Sequence, residues 1–148
     1  MTANRPLAQS KTLRVSEVPV GVELPSLTIE ATPTFIVSSA LATRDFQDVH
    51  HDRDSAQAGG SKDIFVNILT DSGLVQRYVT DWAGPDALVR AASIRLGVPC
   101  YAYDSLTFRG SVTEHREVDG EVRVVVSVVA RDSIGDHITG AVTVVLPE

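Results

Sequence analysis

The sequence predicts an α+β domain in which one long helix is wrapped by an antiparallel sheet. Three observations carry this. Ile64, Ile68, Asp71, Val75, Tyr78 and Trp82 step by four, three, four, three and four, a single helical stripe. After Pro85 the apolar period falls to two and stays there through four runs. Between two of those runs stands Asp119-Gly120, a two-residue hairpin signal, because both turn positions need positive φ.

In chain order, residues 1–20 are polar, hold Pro6 and Pro19 and show no period. They are expected to form a flexible N-terminal arm, with a single domain over residues 21–148. Leu24 to Ile29 alternates and reads as a strand. Pro33 suits the first turn of a helix, whose modest apolar face is Phe35, Ile36, Ser39 and Ala40. Asp54 to Ala58 can form one helical turn, broken by Gly59-Gly60-Ser61. Asp63 is the expected N-cap of the long helix. Asp71 interrupts its apolar stripe, either as a satisfied buried carboxylate, as a group at a subunit boundary, or as a pocket residue. Gly84-Pro85 ends the helix. The four strands that follow run through Ser93–Val98, Ser105–Val112, Glu121–Ala130 and Ile138–Leu146. Gly110 is a candidate bulge, and residues 132–136 form a longer hairpin loop.

Length and composition suit one soluble domain with a real core; the chain has 148 residues. A single cysteine, Cys100, excludes an internal disulfide framework and a cysteine zinc site. No apolar run approaches the roughly 20 residues of a membrane helix. Arg5, Lys11 and Arg14 have no apolar core after them, so a signal peptide is not expected and the cytoplasm is. A net charge of -6 argues against nucleic acid as the partner.

The densest chemistry lies between the two helices. The eleven residues Arg44 to Asp54 hold four Asp, two adjacent His and two Arg. Asp45 and His50 are the candidate catalytic pair, and a solvated acidic loop is the competing reading. His51 and Asp52 could chelate a metal, but adjacent residues rarely aim at one centre and no further cluster completes a shell, so no metal is expected. His115 and His137 are expected to be solvated polar residues of strands or turns.

This element order, with Asp45 and His50 just before the long helix, resembles the hot-dog fold of the MaoC-like, or R-specific, enoyl-CoA hydratases. The family motif runs roughly Ser-Gly-Asp-x-Asn-Pro-x-His. Thr43 to His50 keeps its Asp and His five residues apart, while its Gly, Asn and Pro are not matched. The runs Ala40 to Asp54, Lys62 to Asp71 and Gln76 to Gly84 look like the small catalytic chain of the actinobacterial heteromeric hydratases for steroid side-chain CoA esters. The likeness spans about residues 21–146.

The resemblance implies a lyase that adds water across the 2,3 double bond of an acyl-CoA thioester. It implies that Asp45 and His50 bind and polarise the water, with His50 the nearer to neutral in intrinsic pKa and hence the base. In the wider family a His-Gly pair opens the central helix and the Gly N–H holds the thioester oxygen. Asn67-Ile68 stands there in this chain, so the oxyanion donor would be the Ile68 backbone N–H, beneath a bulkier side chain. Arg53, Lys62 and Arg77 are candidates for the CoA phosphates. No resident cofactor is implied, since CoA arrives as part of the substrate. The expected partner is a paralogous MaoC-like chain in a two-plus-two heterotetramer, with no nucleic acid or membrane partner. Rival readings are a hot-dog acyl-CoA thioesterase and a non-catalytic hot-dog subunit that completes a partner's site.

Overall fold

A computed structural model describes residues 10–148. The order is β1 (Glu23–Ala31), α1 (Pro33–Ala42), α2 (Arg53–Ala58), α3 (Ile68–Ala83), β2 (Leu88–Leu96), β3 (Asp104–Val118), β4 (Glu121–Arg131) and β5 (Asp136–Val145). Short 3₁₀ turns lie at Val15–Glu17 and Asp48–His50. The strands form one sheet in the order β1-β3-β4-β5-β2, every neighbour antiparallel. This is the hot-dog arrangement expected from the sequence.

The alternation of β3, β4 and β5 places Leu106, Phe108, Val112, Val126, Val128 and Val142 on the inner face, all buried. Against it packs α3 through Leu74, Val75, Tyr78 and Val79. Full burial of each such aliphatic side chain stabilises the fold by roughly 1.5–3 kcal/mol. The Tyr78 ring meets Phe108 at a centroid distance of 5.6 Å. Gly110 is tightly enclosed: a Cβ there would lie 3.1 Å from Tyr78 Cε1 of α3 and 2.8 Å from the Ser127 carbonyl oxygen of β4. It is therefore a close-approach glycine. The bulges that bend β3's pairings fall at Pro25–Ser26 of β1, opposite Arg109, and at Thr113. Asp119 and Gly120 take φ of 53° and 78°, as the hairpin requires.

Two expectations are corrected. The long helix begins at Ile68, not Ile64, and Asp63 does not cap it. Residues 64–66 are extended: Phe65 bridges Tyr101, Val66 N–H donates to the Cys100 carbonyl and Ala102 N–H to that of Ile64. This pairing overrides the helical period, and Asn67 becomes the cap, its Oδ1 accepting from Thr70 N–H at 3.0 Å. Ile68 consequently leaves the buried stripe and is 52% exposed.

The second correction concerns the arm. Residues 1–9 lie outside the described residues, but residues 11–18 are part of the packed domain. Leu13 N–H donates to the Ala83 carbonyl and Val15 N–H to that of Pro147. Thr12 Oγ1 donates to Asp86 Oδ2, and Val18 is buried. Gly84, at φ 105°, admits this segment: a Cβ would stand 2.4 Å from Thr12 Cα. The last turn of α3 needs hydrogen-bond donors and cover, and these residues supply both.

Among the described residues no helix is long and apolar enough to cross a membrane.

Candidate active site

Asp45 and His50 are brought together by two tight reversals. At the end of α1, Arg44 takes the left-handed conformation (φ 59°). Asp45 N–H then donates to the Ala40 carbonyl at 2.9 Å, which turns the chain back across the helix end. Asp45 Oδ1 accepts from Gln47 N–H at 3.3 Å, and the 3₁₀ turn Asp48–His50 follows. The result sets His50 Nε2 3.4 Å from Asp45 Oδ2, with side-chain exposures of 8% and 17%.

The His50 ring is held from behind. Nδ1 lies 2.8 Å from the Phe65 carbonyl oxygen, which can only accept, so Nδ1 carries the hydrogen. The Phe65 ring meets the imidazole edge-on at 4.9 Å. In the neutral ring, Nε2 is thus the acceptor and faces the carboxylate. Two acceptors 3.4 Å apart suit a proton donor shared between them.

Asp45 is held from the other side by Asn67, whose Nδ2 donates to Asp45 Oδ2 at 2.9 Å and to Thr43 Oγ1 at 3.0 Å. This hydrogen bond, offset in part by burial and aided by the Gln47 N–H and by His50, keeps the Asp45 carboxyl below its ordinary range. Asn67 and Thr43 complete this hydrogen-bonded cluster, and sequence reasoning gives neither a role in it. The readable signal for Asn67 was its N-cap preference beside the helix start.

The same Asn67 opens α3. Its side chain satisfies Thr70 N–H and its carbonyl takes Asp71 N–H. Ile68 and Leu69 N–H, the first two of the helix, have no acceptor among the described residues. They sit at the positive end of the helix dipole, next to the residue that holds Asp45. Large apolar side chains flank the pair in the chain: Leu41, Phe46, Ile68 and Leu69 are all about half exposed or more.

The other predicted groups are dispersed. Arg53 Nε is paired with Asp63 Oδ1 at 2.8 Å, and its guanidinium lies 5.6 Å above the Tyr103 ring. Lys62 is exposed beside Asp63. Arg77 is tied to Asp81 at 3.2 Å, nine residues after Ile68 and so about 13 Å further along α3. His51 Nε2 stands 3.8 Å from Asp48 Oδ1. His115 Nε2 reaches the Val18 carbonyl at 2.9 Å. His137, expected in solvent, is 2% exposed and bonded to Asp71. Cavities of about 430 and 750 Å³ lie on the sheet face turned away from α3, around Arg109. Neither is lined by Asp45 or His50.

No family model matches the chain. It is 65% identical over 123 residues to the 3-oxo-4,17-pregnadiene-20-carboxyl-CoA hydratase beta subunit of Mycobacterium tuberculosis, covering 83% of this chain and 92% of that one. A chain in the crystal structure of the ChsH1–ChsH2 complex from Mycobacterium tuberculosis superposes with a TM-score of 0.82 at 61% identity, covering 86% of this chain and 98% of that one. A MaoC-like dehydratase shares the fold at a TM-score of 0.82 and 22% identity, over 93% of this chain and 43% of its own.

Proposed function

The chain belongs to the MaoC-like hydratase family, and from that premise we propose that it is the catalytic subunit of a heteromeric enoyl-CoA hydratase acting on a steroid side-chain thioester. The observation that carries the reading is the facing of His50 Nε2 and Asp45 Oδ2 at 3.4 Å, beside a helix N-terminus whose Ile68 and Leu69 N–H groups have no acceptor among the described residues.

The reaction needs water held over C3, a proton removed from it, a proton delivered to C2, and a stabilised thioester oxygen between those events. Water donating one hydrogen to His50 Nε2 and the other to Asp45 Oδ2 is held by both groups. Asp45, kept anionic by Asn67, is the weaker base and orients the water. His50 takes the proton as the water oxygen bonds to C3. The π electrons move to the thioester oxygen, where Ile68 and Leu69 N–H meet the developing charge. The proton on His50 then returns to C2, directly or through Asp45. One water is consumed and no group is left changed. The exposure of Ile68 turns its side chain away from the packed core and keeps its N–H at the helix mouth.

The partner reading rests on the edge of the sheet. Strand β2 exposes residues on both faces, with Leu88 52% and Leu96 39% exposed. An edge this open is a surface to be covered. A paralogous MaoC-like chain would cover it, complete the acyl tunnel beside the apolar residues around Asp45, and form a two-plus-two assembly. Arg53, Lys62 and Arg77 would supply part of the charge for the CoA phosphates.

The test follows loss of enoyl-thioester absorbance with a branched steroid 2-enoyl-CoA, using the chain alone and with its co-expressed partner. Hydration that requires the partner supports the reading. Release of free CoA without hydration would move the assignment to a thioesterase. Hydration by the partnered complex that survives loss of both Asp45 and His50 would make this chain a non-catalytic subunit.

A further inference from the structure

Behind the first turn of α3 lies a second Asp–His pair that the hydration step does not use. Asp71 is fully buried and His137 is 2% exposed. His137 Nε2 lies 3.0 Å from Asp71 Oδ1, and Nδ1 lies 2.6 Å from the Val98 carbonyl oxygen.

The sheet is deformed to make this contact. β5 alternates from Ile138 onward, which would send residue 137 outward. The ladder instead shifts between Ala130↔Ile138 and Arg131↔Asp136, so His137 is the extra residue of a bulge and turns inward beside Ile138. Its carbonyl accepts from Gly97 N–H at 2.8 Å, which locks the bulge to the start of the β2–β3 loop.

The charge state follows from the partners. A carbonyl only accepts, so Nδ1 bears a hydrogen. A neutral imidazole would then set the Nε2 lone pair against a carboxylate at 3.0 Å, so one proton must lie between Nε2 and Oδ1. Asp71 Oδ2 has no hydrogen-bond partner among the described residues. Whatever charge Asp71 carries is therefore balanced through His137.

Asp71 sits three residues after Ile68, within the helical turn whose free N–H groups face the thioester oxygen in the hydratase reading above. An unbalanced carboxylate there would weaken the positive field that those N–H groups provide. The geometry points to Asp71–His137 as a charge-compensating positioning pair: His137 cancels Asp71 and so preserves the oxyanion-binding power of the α3 N-terminus. This rests on the hydratase reading.

The groups facing His137 are Asp71 from α3, Asp132 from the β4–β5 loop and the Val98 carbonyl from the β2–β3 loop. Cys100, close to Asp71, Asp104 and Asp132, has its thiol pushed up to about 12 by burial and stays neutral. Burial opposes the imidazolium; Asp71, the Val98 carbonyl and Asp132 outweigh it and raise the His137 value. As pH climbs through that raised value, His137 loses its charge and Asp71 loses its balance.

The experiment measures kcat and KM against pH for the partnered complex carrying His137→Gln, Asp71→Asn, or both. His137→Gln is expected to lower kcat about tenfold while KM changes less than about twofold, because a transition-state interaction is weakened. The double variant, with no charge to balance, is expected to recover most of that loss. A double variant as slow as His137→Gln overturns the proposal and leaves a packing role. Should His137→Gln fail to fold, the near-isosteric Asp71→Asn decides: the wild-type alkaline fall in kcat must vanish in it, and an unchanged fall overturns the proposal. Imidazole ¹⁵N spectra of the same samples read the charge directly. A doubly protonated His137 near pH 7 that becomes neutral in Asp71→Asn supports the pair, and a neutral His137 in the wild type sinks it. If the wild-type complex hydrates nothing, the hydratase reading falls, and the spectra still decide the charge state.

Discussion

Asn67 Nδ2 donates to Asp45 Oδ2 at 2.9 Å while Asn67 Oδ1 caps α3 through Thr70 N–H at 3.0 Å. In the proposed hydration, one amide thus ties the carboxylate that orients water to the helix end that meets the thioester oxygen. The two roles separate by substitution. Asn67→Ser keeps a capping oxygen and loses the Asp45 contact, so kcat should fall at least tenfold with a melting temperature close to wild type. Asn67→Ala loses both, and the missing cap should cost about 1 kcal/mol besides. Steady-state kinetics with thermal melts distinguish them; equal kcat in Asn67→Ser and wild type would show the contact to be idle.

Asp45→Asn and His50→Ala should each lower kcat by about 10²–10⁴-fold, the range for a positioned acid–base group. The fold should persist, since Asp45 is partly exposed and the buried His50 lies outside the apolar core between α3 and the sheet. Turnover near wild type in either variant would remove that residue from the chemistry.

The acid limb assigned to Asp45 should lie below the ordinary carboxylate value and move upward in Asn67→Ser, which removes the largest cause of the lowered pKa. For stability the sign is that of a depressed carboxyl. The Asp45 contribution is present above the unfolded value and lost as pH falls through the folded one. A pH–rate profile of both proteins checks the shift; superimposable acid limbs would exclude Asn67 as its cause.

His137 has the opposite sign. Its folded pKa is raised, so its contribution to stability is complete below the unfolded value near 6.5 and declines as pH rises through the folded value. Melting temperatures of the wild type should therefore fall on the alkaline side by more than those of His137→Gln. Parallel curves would mean that His137 does not titrate there.

Gly84→Ala should destabilise the chain by about 2–3 kcal/mol, because the residue needs φ 105° and its Cβ would meet Thr12. That is a drop of roughly 5–10 °C in the melting temperature of a domain this size. A smaller loss would mean that residues 11–13 can leave α3 without penalty.

Leu88→Lys together with Leu96→Lys on the exposed β2 edge should abolish co-purification with a paralogous partner and leave the single-chain fold intact, as read by circular dichroism. A complex that survives would place the partner on another surface.

Much of the fold was legible because its signals are local. Alternation marked the β3, β4 and β5 runs, Asp119-Gly120 marked their hairpin, and Pro33 and Gly84 marked helix ends within a residue or two. The Asp45–His50 step was equally readable, since a 3₁₀ turn converts a five-residue spacing into a facing pair. α3 starts four residues after the point where its helical period begins, because Phe65 pairs with Tyr101, thirty-six positions away, and pairing across such a gap leaves no periodic trace.

Taken alone, the amino-acid order determines most of the elements, the buried faces of the central strands and the candidate pair Asp45 and His50. Each depends on residues within a turn or a strand of one another. The tertiary structure decides the rest. It bends β5 at His137 to meet Asp71, sixty-six residues earlier, and sets Asn67 against Asp45 across twenty-two. It also lays residues 11–13 along the end of α3. These are single contacts between distant positions, chosen by which polar group is left without a partner once the core has closed, and no local pattern encodes that choice.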